Sequence, residues 1–308
     1  MARIAVIGPG ALGTLFSGLL ALAGHDVGLV ARRRDVAEQI ARDGVIVERD
    51  GVQRRSAVWT SLAGDEVPAV EVILVLVKSF DTDGAAHAAL PILAADGMVA
   101  SLQNGLGNAE RLAAVVGPER VLAGVTSQGA TLLGVGHTRH AGFGPSYLTE
   151  VQGGAGARAQ RLASMLSEAG IPTQAEQELG PLVWGKLVSN VAINPLSALT
   201  GRRNGQLLDS PETTSLFDEA VREAAAVAHA LGIVFAFDDA VAHAHRIAEI
   251  TRVNRSSMLQ DVERRRPTEI DAISGAVIEL GARLGVPTPT NSVLYRLIKG
   301  IESGYELE

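Results

Sequence analysis

A short apolar run, Ile4 to Ile7, breaks at Gly-Pro-Gly and is followed by a helical pattern from Ala11 to Leu22 that stops at Gly24. Strand, tight turn and helix in that order leave little choice of architecture. The turn, Gly8-Pro9-Gly10-Ala11-Leu12-Gly13, is a G-x-G-x-x-G in the context its chemistry requires. Glycines there permit the turn, let a pyrophosphate approach the backbone and allow the helix to pack closely on the strand. A purely structural turn is the competing reading, since the chain holds 34 glycines. The same glycines interrupt the apolar N-terminus, so it does not read as a signal peptide, and no apolar stretch is long enough to span a membrane.

The next strand, Asp26 to Ala31, should end beside an adenosine ribose. A cofactor with a free 2′-hydroxyl favours Asp or Glu there, whereas this chain has Arg32, Arg33 and Arg34. Guanidinium groups suit a 2′-phosphate, which points to NADP(H), with Arg32 nearest the strand; the other reading of the run is a solvated strand end. Val70 to Val77 reads as a buried parallel strand that delivers Lys78 to its carboxyl end, the ligand-binding edge of open α/β sheets. Met98 to Leu102 repeats the pattern and runs into Gln103-Asn104-Gly105, where Asn104 is either a turn residue or one that orients a nicotinamide or substrate. Val121 to Thr126 follows, with Ser127 to Ala130 at its end. The glycine-rich stretch Gly134 to Val151 reads as a hairpin around Gly142-Phe143-Gly144, with His137 and His140 as turn and surface residues. No acid or cysteine stands at ligand spacing from them, so no metal site is expected. A helix over Arg158 to Ala169 and a strand over Pro172 to Ala175 close an α/β, Rossmann-type, doubly wound N-terminal domain.

At 308 residues the chain is long enough for two domains, read as 1–177 and 178–308. It has no cysteine, which excludes disulfides, thiolate metal sites and cysteine nucleophiles and fits a reducing, cytoplasmic setting. A net charge of −7 argues against a nucleic-acid partner and leaves small molecules as ligands. Whether the chain is a monomer or a homodimer is not written in it.

After Gly180-Pro181 the pattern becomes helical to the end, an all-α C-terminal domain. Its most unusual stretch is Val183 to Gly205, a helix carrying Lys186, Asn190 and Asn194 at four-residue steps. Each step drifts by about 40°, so the three share one face of an otherwise apolar helix. Pro195 is expected to end that row at a kink or helix terminus. The row is either a solvated stripe or a polar lining held for a ligand. Helices are expected at Pro211 to Gly232, Asp238 to Ile250, Thr251 to Arg265, Thr268 to Leu284 and Asn291 to Ser303. On the third of these five, Asn254, Ser257 and Asp261 would lie on one face. On the fourth, Thr268 and Asp271 form a capping pair with Glu269 in the first turn.

These segments, taken in order, resemble the ketopantoate reductase (2-dehydropantoate 2-reductase) family over essentially the whole chain. The likeness is carried by Gly8 to Gly13, Arg32, Lys78, Gln103-Asn104-Gly105, Trp184-Gly185-Lys186 with Asn190, Asn194-Pro195-Leu196, Asn204-Gly205, Ser256 to Asp261 and Thr268 to Asp271. It implies NADPH-dependent reduction of 2-dehydropantoate to pantoate, on the route to pantothenate and coenzyme A. By the same resemblance Lys186 is the general acid. Asn190, Asn194, Asn204 and Ser257 bind substrate, while Asn254 and Asp261 line the site. Asn104, Ala130 and Glu269 contact the cofactor or its surroundings, Glu269 also supporting the acid, and Arg32 and Lys78 meet the 2′-phosphate. The alternatives are a reductase of another 2-oxo acid and a non-catalytic NADP(H)-binding sensor.

Overall fold

A computed structural model describes residues 1–307 of the chain. It divides into two compact units, Met1–Gln103 with Gly107–Leu179, and Asn104–Leu106 with residues 180–307. The first unit runs β1 (Arg3–Ile7), α1 (Ala11–Leu22), β2 (Asp26–Ala31), α2 (Arg34–Asp43), β3 (Val45–Arg49), β4 (Val52–Ser56), β5 (Trp59–Leu62) and β6 (Val70–Val75). It continues with α3 (Thr82–Ala89), β7 (Leu93–Ser101), α4 (Asn108–Val116), β8 (Val121–Gly134), β9 (His137–Glu150), α5 (Ala157–Glu168) and β10 (Thr173–Ala175).

The strands form one sheet in the order β4-β3-β9-β8-β7-β6-β1-β2-β5, with β10 added beside β9. From β5 to β8 every pairing is parallel. Beyond β8 the sheet is mixed: β8–β9 and β3–β4 are antiparallel, β9–β3 and β9–β10 parallel. The central strands alternate between two apolar layers. Ile4, Val6, Leu29, Val72 and Leu74 pack with Leu15, Phe16 and Leu20 of α1 and with Leu162 and Leu166 of α5. Ala5, Ile7, Val30, Ile73 and Val75 pack on the other face with Ala85 and Ala86 of α3 and Leu112 of α4. A sheet buried on both sides in this way needs the near-continuous Val, Ile and Leu runs of β1 and β6.

Two expectations for this unit are corrected. The chain reverses at Val135-Gly136, where Gly136 takes the left-handed φ of +67°, and not at Gly142–Gly144. Gly129 and Gly142 instead face each other across the β8–β9 pair, where a Cβ on Gly129 would stand 2.9 Å from the Gly142 nitrogen. Bulges flank this close approach. His140 is buried between those strands, with Nε2 2.6 Å from Oε1 of Gln128, so it is no surface residue. A hairpin formed by β3 and β4 was not anticipated.

In the second unit, α6 (Gly180–Thr200) is followed by a 3₁₀ turn at Asn204–Leu208, α7 (Pro211–Ala230), α8 (Ala240–Ile250), α9 (Ser257–Glu263), a π-helical turn at Asp271–Gly275, α10 (Ala276–Leu284) and α11 (Pro289–Ser303). Helix α6 packs against α7, α8, α9 and α11. Its continuation through Pro195 to Thr200 overturns the expected stop at that proline. Proline removes one intrahelical hydrogen bond, and burial of Ala192, Ile193, Asn194, Leu196, Ser197 and Ala198 around it holds the helical path. No helix among the described residues is long and apolar enough to cross a membrane.

Phe217 of α7 is fully buried in this helical core, with its ring edge against His245. Replacing it with Ala removes a large side chain from a close-packed site. The Phe217→Ala variant is expected to lose about 3–5 kcal/mol, measured by urea denaturation followed by far-ultraviolet circular dichroism.

Candidate active site

In the first unit the three glycines of the opening turn differ in their surroundings. Gly8 adopts φ +108°, and a Cβ there would lie 2.8 Å from Val77. A Cβ on Gly13 would come within 1.9 Å of the Gly8 carbonyl oxygen, so α1 packs on β1 only with hydrogen at that position. Gly10 is exposed, and nothing lies within 4 Å of where its Cβ would stand. It is also the N-cap of α1 and offers no side chain to the first-turn amides. An open backbone at a helix N-terminus, between half-buried Pro9, Ala11 and Leu12, fits the pyrophosphate of a dinucleotide. Beside it, Thr138 donates to the carbonyls of both Ala11 and Thr131, which fastens β8 next to Ala130 against the start of α1.

Arg32 follows β2 and is largely exposed. Its Nη1 donates to Oδ1 of Asp81 at 3.1 Å. Arg33 turns the other way, onto Asp35, with Nε 3.0 Å from Oδ1, and Arg34 begins α2. The structure thus separates the three arginines and leaves Arg32 at the carboxyl edge of the sheet. Lys78 comes two residues after the buried Leu76 and is half-buried. The carbonyl of Val77 just before it accepts from Nε2 of Gln103 at 3.0 Å, and the same nitrogen donates to Thr82.

In the second unit the polar row of α6 has company. Lys186 is half-buried, and its Nζ donates to Oδ1 of Asn104 at 2.6 Å. Asn104 belongs to this unit with its two successors. Gly105 has φ +82°, a Cβ there would meet the Ala272 carbonyl oxygen at 2.5 Å, and the Leu106 amide donates to that same carbonyl. The turn reading of Asn104 therefore holds, and the same residue supplies the acceptor for Lys186. Burial pushes the Lys186 ammonium down from 10.5 to about 8, and the negative charge of the buried Glu269 resists that fall. Glu269 lies just before the π-helical turn. Its neighbour Thr268 is held from α11, where Glu302 Oε1 accepts from the Thr268 amide at 2.7 Å.

Asn190 is half-buried and Asn194 buried on the same helix. One turn further, Ser197 pairs with Ser256 at 2.5 Å, and the Ser256 hydroxyl caps α9 by accepting from the Leu259 amide at 3.0 Å. That contact sets the start of α9, with exposed Ser257, beside the far end of the row, and Asp261 further along α9 is buried. Asn254 is corrected: it precedes the α9 cap and shares no helical face with Ser257 and Asp261, because Thr251 ends α8 and Ser256 starts α9. The Asn254 carbonyl instead accepts from the Asn204 amide at 3.0 Å. Asp271 is not a capping partner of Thr268 either; it accepts from the Tyr295 hydroxyl and from Lys299 on α11.

Asn204 carries the most specific signal. Its Nδ2 donates to Thr251 Oγ1 at 3.0 Å, and that hydroxyl spends its own hydrogen on the Ile247 carbonyl at 2.6 Å. The amide orientation is thereby set by chemistry, since Thr251 can only accept. The Asn204 Oδ1 is buried and takes no hydrogen bond from the described residues. A buried acceptor without a donor costs about 1–3 kcal/mol, which a ligand hydroxyl would recover.

The family model described as "Ketopantoate reductase PanE/ApbA" matches residues 4–153, and its C-terminal counterpart matches 179–302. The 2-dehydropantoate 2-reductase of Archaeoglobus fulgidus is 35% identical over 302 residues, 98% of each chain. The chain belongs to the ketopantoate reductase family. A crystal structure of a PanE/ApbA family ketopantoate reductase from Ralstonia eutropha superposes with a TM-score of 0.91 at 33% identity, covering 99% of both chains. A D-mandelate dehydrogenase solved with NADH and anilino(oxo)acetate gives 0.93 at 26% identity, again over 99% of both.

For a ketopantoate reductase, sequence reasoning overlooked several residues here. Asp81 escaped notice because its partner stands 49 residues away, and the contacts of Gln103 with Val77 and Thr82 were hidden in the same way. Glu302 and Ser197 were invisible for the same reason, although Ser197 falls three residues after Asn194 on the row. If the Glu269 charge supports the Lys186 cation, removing it lets burial act unopposed. Glu269→Gln is expected to lower the Lys186 titration midpoint by about one pH unit, read from the NMR signal of its side-chain carbon next to the amine.

Proposed function

We propose that the chain reduces 2-dehydropantoate to pantoate with NADPH, as its 2-dehydropantoate 2-reductase relatives are named for doing. The observation that carries the reading is the Lys186 ammonium, held on an apolar helix by Asn104 and the Glu269 charge. When bound, the nicotinamide supplies hydride to the carbonyl carbon. Lys186 then serves the carbonyl oxygen, on which negative charge grows, by donating a hydrogen bond and finally its proton. With its midpoint at about 8, Lys186 is mostly cationic at neutral pH and yet a stronger acid than a lysine in water.

Asn190 and Asn194 bring amide donors to the substrate without adding charge, and Ser257 and Asp261 bring a hydroxyl and a carboxylate from α9. Asn254 extends this lining through its carbonyl contact with Asn204. The unpaired Oδ1 of Asn204 favours a 2-oxo acid that also bears a hydroxyl, which 2-dehydropantoate does. Gly8, Pro9, Gly10, Ala11, Leu12 and Gly13 hold the pyrophosphate, with Ala130 beside them, and Arg32 and Lys78 serve the 2′-phosphate. A cytoplasmic setting and a small-molecule partner belong to the same reading.

Loss of reduced-nicotinamide absorbance with 2-dehydropantoate and a panel of other 2-oxo acids tests it. Lys186→Ala is expected to lower kcat by about 10²–10⁴, and the wild-type rate of reduction to fall as pH rises through about 8. An unchanged kcat in the alanine variant would sink the proton-donor role. Asn204→Ala is expected to cost about tenfold in kcat/KM for hydroxyl-bearing substrates and much less for those without the hydroxyl. Equal losses on both would show that Asn204 does not read that group.

A further inference from the structure

Arg32 and Asp81 meet across the carboxyl end of β1, which lies between β2 and β6 in the sheet. The pair stands at 3.1 Å and solvent reaches it: the arginine side chain is 81% exposed and the aspartate 38%. Arg33 is engaged with Asp35, so Arg32 is the guanidinium at this edge, and it already has a carboxylate partner. Asp81 stands three residues after Lys78, in the 3₁₀ turn that follows β6.

Resting on the NADP(H) reading above, we infer that Asp81 sets the discrimination between NADPH and NADH. A carboxylate accepts from the 2′-hydroxyl of an adenosine ribose and repels a 2′-phosphate. The same carboxylate holds one arm of Arg32. A 2′-phosphate gains that guanidinium only by sharing it with, or taking it from, Asp81. The site thus carries Asp81 for the hydroxyl beside Arg32 and Lys78 for the phosphate, and its preference for the phosphorylated dinucleotide is narrower than the two cations alone would make it. Replacing Asp81 with Asn removes the charge and keeps an acceptor oxygen for the hydroxyl.

Calorimetric titration of NADPH and NADH into the full-length wild type and Asp81→Asn, at low and high ionic strength, tests this without turnover. The variant is expected to bind NADPH about five- to twentyfold more tightly at low salt, with NADH within about twofold and the gain shrinking at high salt. 2′,5′-ADP should show the same gain and 5′-AMP none. An unchanged or reduced NADPH-to-NADH affinity ratio overturns the inference, as does a gain indifferent to salt. Its failure is separable from failure of the reading beneath it. Arg32→Ala binding NADPH as tightly as wild type would remove the phosphate from this edge, and a wild type that binds neither dinucleotide would remove both conclusions together.

Discussion

A cation on an apolar helix is the constraint around which the second unit is built. The fall of Lys186 from 10.5 to about 8 corresponds to roughly 3 kcal/mol of bias toward the neutral amine. That bias is what remains after the Glu269 charge has opposed burial, and the Asn104 acceptor adds a charge-assisted hydrogen bond, worth about 1.5–3 kcal/mol, that favours the ammonium. Neither group is local. Asn104 arrives from 82 residues earlier in the chain, and Glu269 from the turn that α11 fastens through Glu302.

That requirement explains an otherwise odd feature of the chain's division, in which three residues, Asn104–Leu106, belong to the helical unit although their neighbours on both sides belong to the sheet. Gly105 can fit against Ala272 because it lacks a Cβ, and Leu106 closes the contact with a backbone hydrogen bond. The sequence Asn-Gly is thus fitted to two tasks at once. Glycine supplies the left-handed turn and the close approach, and asparagine supplies a neutral acceptor for the lysine. An aspartate there would hold the ammonium more strongly and push its midpoint up, at the expense of its acidity.

Local punctuation accounts for what was legible beforehand. The limits of α1 and β2 agree with the expected ones because Gly10, Gly24 and the arginine run mark them. The hairpin of β3 and β4 was missed although its turn was written plainly: Asp50 and Gly51 both take left-handed φ, 52° and 76°, as an Asp-Gly pair in a two-residue hairpin favours. The Gly142–Gly144 cluster misled for a physical reason, since glycine serves a close strand approach as readily as a turn. Asn254 was placed on a helix because spacing alone does not show that Thr251 and Ser256 are a stop and a start. The alignment of Lys186 with the asparagines was readable from period alone, whereas Asn104, Glu302, Asp81 and the unpaired Oδ1 of Asn204 depend on long-range contacts that no spacing encodes.

Under the proposed reading, the choice of amides over charges along α6 follows from the substrate's own charge. A 2-oxo acid brings a carboxylate to a place where Lys186 and Glu269 already balance. A second lysine beside the first would depress its midpoint further and leave less ammonium to donate a proton, while an acid in place of Asn190 or Asn194 would repel the incoming anion. Amide groups donate and accept with no such penalty, and the low local dielectric strengthens each bond they make. Oδ1 of Asn204, which takes no hydrogen bond from the described residues, then becomes selective. A substrate lacking a hydroxyl leaves that oxygen buried and unsatisfied, so discrimination comes from a cost imposed on the wrong ligand as much as from a bond made to the right one.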